Sequence, residues 1–228
     1  MRHLIHTGFF VIIRIFYGLK ALLTENRFYR FLQDSFFYSY LKYFGVETEF
    51  RYVRLIGLPI IRKQNGSRII LGEGVTLVSN SHGNVAGINH PVILATLAPG
   101  AIIELDGCGL SGSSICASKS IRIGRNSGLG ANSSVYDTDF HSTDHKTRKN
   151  QQNIVDAQAE PVEIENDVWV AANALILKGV TIQSRAIIAA GAVVTTNIPQ
   201  NALAAGNPAR VIRIMKPEES ACSELASC

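Results

Sequence analysis

The side chains with most chemistry to offer gather in one polar stretch, DTDFHSTD, residues 137–144. Its imidazole, His141, is of the side-chain type best suited to accept and return a proton in catalysis. Asp137, Asp139 and Asp144 flank it, and a carboxylate beside an imidazole can orient the ring and hold its tautomer. We take Asp139 as that partner. The same acids also read as ordinary turn residues, and a histidine in a polar loop also reads as solvent-facing. A second polar stretch, residues 78–92, carries Asn80, His82, Asn89, His90 and Pro91. Its histidines could line a substrate, although Asn-His-Pro is equally a turn sequence. The hydroxyls of Ser111, Ser113 and Ser114 could hydrogen-bond a polar ligand or simply face water at turns. Cys108, Cys116, Cys222 and Cys228 lack CxxC spacing, which points to free thiols in a reducing compartment and away from a zinc ribbon.

These loops need a scaffold, and the C-terminal third supplies one in steps of six. Ile164, Val170, Ile176, Ile182, Ile188 and Val194 are aliphatic at every sixth position. Four residues after each come Val168, Ala174, Val180, Ala186, Ala192 and Ile198, all small or aliphatic. A helix wants spacings of three and four, and a half-buried strand wants strict alternation, so neither explains a period of six. A solenoid does, with one short strand and one turn per hexad and three hexads per triangular coil. Residues 18 apart then stack at the strand spacing of about 4.8 Å, predicting Ile164 over Ile182, Val170 over Ile188 and Ile176 over Val194. The register continues upstream through Leu71, Leu77, Leu105, Ile123, Leu129 and Val135, with Ser111 and Ala117 as weaker members. Residues 78–92 and 137–161 interrupt it. Such insertions become loops on the solenoid's face, where function is commonly carried.

Composition agrees with a globular chain: 228 residues, 46% apolar, 18% charged and 19 Gly exclude a disordered chain, a collagen and a long coiled coil. The net charge of +4 contains no run dense enough for a nucleic-acid footprint. Of 18 aromatic residues, 15 precede residue 53, leaving Tyr136, Phe140 and Trp169. We therefore divide the chain into a helical, aromatic-rich segment 1–52, a solenoid 53–203, and an extension with a disordered tail, 204–228. The apolar start, residues 1–23, is broken by Arg14 and Lys20, so no stretch approaches the roughly 20 residues that span a bilayer. It reads as an interfacial helix making peripheral membrane contact, or as a helix packed on protein.

VWVAANALILKGVTI (168–182), IIAAGAVVTTNIP (187–199) and AAGNPARVIR (204–213), following the DTDFHSTD loop, resemble the hexapeptide-repeat acyltransferases over roughly residues 68–215. The resemblance implies a left-handed parallel β-helix and acetyl-CoA as co-substrate, with no metal. It is closest to maltose and galactoside O-acetyltransferases and to enzymes that O-acetylate sugars of bacterial surface polysaccharide or lipopolysaccharide. By that resemblance His141 is the general base, Ala172 supplies a backbone N–H for the oxyanion, and Trp169 lies beside the thioester. Ala190 and Thr195 line the pantetheine groove, while Arg210 and Arg213 face the CoA phosphates. Ser111, Ser114 and His82 fall on the acceptor side. The family also implies a homotrimer with active sites between subunits, acting on a sugar or glycan in the cytoplasm or at the inner face of the bacterial inner membrane.

Two departures accompany the match. Thr196 stands where relatives carry a lysine, and the corners usually reading IGD are IEN at 164–166 and IQS at 182–184, which predicts corners of different shape. Two other functions use the same scaffold. One is sugar N-acetylation. The other is a γ-class carbonic-anhydrase-like zinc site from His82, His141 and His145, against which stand the His141–His145 separation and the AAGNPARVIR ending.

Overall fold

The computed structural model of the chain describes residues 27–150 and 157–216. The expected helix at 1–23 and disordered tail at 217–228 lie outside those residues. Helix α1 (Arg27–Tyr43) leads into coils that each wind through three faces. The first coil holds β1 (Val53–Ile56), β2 (Ile60–Arg62) and β3 (Arg68–Leu71); the second holds β4 (Val75–Val78), β5 (Ile93–Thr96) and β6 (Ile102–Leu105). The third holds β7 (Gly109–Ser111), β8 (Ser114–Ala117) and β9 (Ser120–Ile123); the fourth holds β10 (Gly128–Leu129), β11 (Ser134–Tyr136) and β12 (Val162–Ile164). Helix α2 (His145–Asn150) lies in the insertion before β12. The fifth coil holds β13 (Trp169–Val170), β14 (Leu175–Ile176) and β15 (Thr181–Ile182); the sixth opens with β16 (Ile187–Ile188) and β17 (Val193–Val194). A final hairpin, β18 (Ala202–Gly206) and β19 (Ala209–Ile214), closes the described chain.

Equivalent strands of successive coils pair in parallel, giving three sheets: β1-β4-β7-β10-β13-β16-β18 with β19 added antiparallel, β2-β5-β8-β11-β14-β17, and β3-β6-β9-β12-β15. We call these the first, second and third faces. The first edge joins the first and second faces, the second edge joins the second and third, and the third edge returns to the first. Ile164 pairs with Ile182, Val170 with Ile188 and Ile176 with Val194, as the period of six requires. These residues and their counterparts at Leu77, Leu105, Leu129 and Val135 are essentially inaccessible. Fully burying each such side chain contributes about 1.5–3 kcal/mol, so the columns are the core.

Two expectations about register and corners fail for identifiable reasons. In the third coil the inward residues are Leu110 and Ile115, not Ser111. The steps from Leu105 to Leu110 to Ile115 are five residues each, and the register recovers at Ile121 and Ile123. Ala117 is buried, as the weaker member of its strand. The atypical corners, meanwhile, keep the common shape. Asp167, Asn173, Gly179, Arg185 and Gly191, one per hexad, all have φ between 58° and 75°. The left-handed residue is the third after each inward aliphatic, so Glu165 and Gln183 in the IEN and IQS corners do not occupy it. Asp and Asn tolerate that conformation; Arg185 adopts it at a cost of about 1–2 kcal/mol.

Both ends are covered. Glu47 pairs its backbone with Ile70's strand, donating to Ile69 and accepting from Leu71, and Leu41 and Val46 bury against the first coil. At the other end β19 takes the outer edge of β18.

Candidate active site

The insertion carrying His141 leaves β11 at the second edge and is clamped at its base. Asp137 is fully buried; its carboxylate accepts the backbone N–H groups of Ser118 (2.6 Å) and Lys119 (2.7 Å) on the preceding coil. Burial raises its pKa, and the amide donors oppose that shift. The two limbs of the loop are zipped: Thr138 bridges Ala159, Asp139 N–H donates to Gln158 (3.0 Å), and Glu160 N–H donates to Asp137 (2.8 Å). Beyond the stem, His141 N–H donates to the Asp139 carbonyl at 2.7 Å across Phe140, whose φ is 60°. This is a tight γ-type turn with a bulky residue in the left-handed region, a rare and strained arrangement that needs support from its surroundings. Phe140 N–H donates to Thr138 Oγ1 (3.2 Å), and its ring meets Tyr136 edge-on with centroids 5.1 Å apart.

None of the three flanking carboxylates reaches the imidazole. Asp139, expected as the orienting partner, instead accepts from Lys178 Nζ at 2.7 Å, an ion pair with side chains only 24% and 30% exposed. Lys178 stands on the second-edge corner of the next coil, so the pair latches the loop from above as Asp137 anchors it from below. Asp144 caps α2, accepting from Lys146 N–H, Thr147 N–H and Thr147 Oγ1, and the Thr147 contacts are the main cause of its lowered pKa. His141 itself is exposed, and its ring makes no hydrogen bond among the described residues. Lys178 went unnoticed in the sequence. Its signal is that it is the one Lys between Lys149 and Lys216, set in an otherwise regular hexad.

The first edge carries a different chemistry. Ala172 and Ala190 occupy stacked corners there, joined by Gly191 N–H donating to the Ala172 carbonyl (3.0 Å). The Ala172 N–H has no protein acceptor among the described residues, so it is a spare donor on a half-buried corner packed over Gly130. Below it, the 79–92 loop folds along the same edge. Asn132 holds it by accepting from Asn89 N–H (2.7 Å) and donating to the Gly87 carbonyl (3.3 Å). The loop lies so close to Gly112 that a Cβ there would come within 2.7 Å of Ile88, which explains the glycine at that corner. His82 is exposed in a short turn capped by Asn80. Ser113 is buried against Ser133 (3.2 Å), and Ser114 retains only 7% of its surface, so neither hydroxyl lies open beside the loop. Ser111 is half-buried on the first face.

Trp169 projects from the first face, 58% exposed, beside Gly128 and Ile187. Thr195 is exposed at the second edge, two corners above the His141 loop, whereas Ala190 is on the first edge. A groove along one edge of one chain therefore cannot hold both. Arg210 and Arg213 are exposed on β19, beyond the last coil. Within one chain the imidazole and the spare amide thus stand on opposite borders of the second face, and His82 is on the border away from His141 and His145.

Residues 161–196 match the family model for the bacterial transferase hexapeptide (six repeats). The 2,3,4,5-tetrahydropyridine-2,6-dicarboxylate N-acetyltransferase of Staphylococcus aureus is 54% identical over 55 residues, 24% of this chain and 23% of that relative. The match thus spans about a quarter of such curated relatives' length. Among solved structures, a maltose O-acetyltransferase from Clostridium difficile aligns at 23% identity over 86% of this chain and 89% of its own, with a TM-score of 0.44. A hexapeptide-repeat-containing acetyltransferase from Vibrio cholerae aligns at 22% identity over 77% of each chain, also with a TM-score of 0.44. At these identities the likeness concerns the fold alone.

Proposed function

Because the chain carries the hexapeptide repeat of bacterial transferases on a left-handed parallel β-helix, we propose that it is an acetyl-CoA-dependent O-acetyltransferase acting on a sugar hydroxyl of bacterial surface polysaccharide or lipopolysaccharide. The observation that carries this reading is the presentation of His141: an exposed imidazole without a hydrogen-bond partner among the described residues, on a strained turn clamped from the coil below and the coil above. A solenoid that only bound a partner would have no use for that arrangement.

The chemistry is direct transfer. His141 takes the proton from the acceptor hydroxyl as that oxygen attacks the thioester carbonyl, help worth about 10²–10⁴ in rate. The carbonyl oxygen becomes an oxyanion, which the Ala172 N–H is free to receive. Collapse of the tetrahedral adduct expels the CoA thiolate, which recovers the proton from the imidazolium. Arg210 and Arg213 suit the CoA phosphates, because a guanidinium fork matches their geometry. Since the imidazole and the amide occupy different edges, a second copy must complete each site, which favours a ring of identical subunits, a homotrimer. The reaction belongs on the cytoplasmic side, where acetyl-CoA is made.

The test is thiol release from acetyl-CoA with a panel of sugars. His141→Ala is expected to abolish transfer without changing assembled mass or melting temperature; near-normal turnover refutes the base. One observation favours an amine acceptor instead: the matched S. aureus relative is an N-acetyltransferase. Amino sugars therefore belong in the panel, with the product's linkage read by its stability to mild alkali.

A further inference from the structure

The first 30 residues hold Arg2, Arg14, Lys20, Arg27 and Arg30 against Glu25 alone, so five basic groups face one acidic. The remaining 198 residues carry 17 of each sign, and the whole net charge of +4 therefore resides at the N-terminal end. Helix α1 begins inside this stretch. It packs on the solenoid through Phe37 and Leu41, and its other side stays open: Phe31, Leu32 and Phe36 are 45%, 50% and 57% exposed. Asp34, the one acid on the helix, is paired to Arg51 at 3.4 Å. That guanidinium also lies 6.0 Å over the Phe31 ring and 5.2 Å over Phe50, placing a cation at the rim of the apolar face.

We propose that this open face of α1, at the basic end of the chain, docks the protein on an anionic lipid surface. Exposed aromatic and aliphatic side chains with a guanidinium at their rim, the helix's one acid paired and the excess of basic residues at this end of the chain are the pattern of a helix lying in the headgroup region. Anionic lipid attracts such basic clusters over roughly a Debye length. An aromatic face destined for a second copy has no need of the charge segregation, and a cationic anchor alone has no need of exposed Leu32 and Phe36. Charged residues interrupt the apolar stretch 1–23 too often for it to span, and among the described residues no helix is long and apolar enough to cross a membrane. The docking stands independently of the acetyl-transfer reading. If that reading also holds, docking places the acceptor loop near the lipid, since Gln33, Asp34 and Phe37 line a groove with Asn80 at the base of that loop. A glycan carried on a lipid would then meet the loop directly.

The test is flotation of the full-length protein with vesicles of phosphatidylcholine alone or with 30% phosphatidylglycerol, at about 0.1 M and 0.5 M salt. Partition at least tenfold stronger onto anionic vesicles, weakened by salt, is expected. Leu32→Glu and Phe36→Glu should each cut that partition at least tenfold with an unchanged melting temperature. Absence of binding to the anionic vesicles overturns the proposal, and so does binding that survives both substitutions. A fall in assembled mass on Phe36→Glu, read by light scattering, also overturns it, because a second copy then covers the face. Acetyl transfer in free solution is read on the same variants, so failure of docking and failure of the activity are separable.

Discussion

Replacing Asp139 by Asn tests whether the His141 loop is held by a latch or by a direct carboxylate–imidazole contact. The Asp139–Lys178 pair is short, 2.7 Å, and mostly shielded from solvent. Fully exposed pairs contribute about 0.2–1 kcal/mol, whereas breaking a buried pair costs about 3–5 kcal/mol. A pair shielded to this degree falls between, at about 1–2 kcal/mol. That is also about the cost of holding Phe140 in the left-handed region, so the latch roughly offsets the strain of the turn. At about 1.4 kcal/mol per tenfold in rate, loss of the latch lowers kcat by about 5–30-fold and leaves the KM for acetyl-CoA alone. Lys178→Met should match Asp139→Asn, and the double variant should be no worse than either, because both break one interaction. Backbone amides of residues 139–143 should exchange with deuterium faster in all three variants, which reads the loop without any reaction. A loss beyond about 100-fold in Asp139→Asn, with Lys178→Met close to wild type, refutes the latch. The carboxylate would then reach the imidazole in the assembled protein.

Asp137 gives a pH signature. Its folded pKa is raised chiefly by burial, so the protonated form is favoured on folding; the stability it contributes is full below the unfolded pKa near 4 and is lost as pH rises through the folded value. Asp137→Asn removes that slope, leaving a flatter melting temperature as pH rises above about 4. It should also cost about 1–3 kcal/mol, because an amide offers one acceptor to two N–H donors; a slope identical to wild type would exclude Asp137 as its source. Burial also pushes the thiols of Cys108 and Cys116 up to about 12 and about 11. Both should resist iodoacetamide in the folded protein at pH 8 and react on unfolding, checked by peptide mass mapping, since even at a pKa of 11 only about one thiol in a thousand is ionised there.

The columns of the solenoid were legible because burial acts at every sixth residue and nothing else in a chain has that period. The left-handed corners were equally available: Asp167, Asn173, Gly179, Arg185 and Gly191 stand three after each inward aliphatic, and four of the five are types that tolerate φ near +60°. The short third coil was not legible, because Ser111 continued the count of six while Leu110, one residue earlier, is the one buried. The loops were legible as interruptions and opaque in detail. Three acids around one histidine look interchangeable in a sequence, yet one is buried against two amides, one is latched to a lysine 39 residues away, and one caps a helix. Each assignment depends on which coil lies above or below, and stacking is a property of the closed prism.

The three faces also predict how copies would meet. Outward residues of the third face run Ile70, Glu104, Arg122, Glu163, Thr181, with Arg122 and Glu104 paired at 3.0 Å, a ladder that water solvates well. On the second face the corresponding column is Ile60, Ile93, Ser114, Ser134, Leu175, Val193, without a charge. His141 and Ala172 stand on the two borders of that face, where the one strand residue that carries an outward charge is Arg62, at its first-coil end. If the His141 edge of one chain meets the Ala172 edge of the next, the contact is head-to-tail, and three such contacts close a ring with the second face turned toward its axis. Leu175→Glu would then bring three carboxylates together out of water, a penalty of at least several kcal/mol. The side chain points away from the core, so each chain keeps its fold. Light scattering should show a single-chain mass with a near-normal circular dichroism spectrum, and acetyl transfer should vanish with the ring. A Leu175→Glu protein that stays assembled and active means that the second face looks outward, and that some other pairing of edges completes the site.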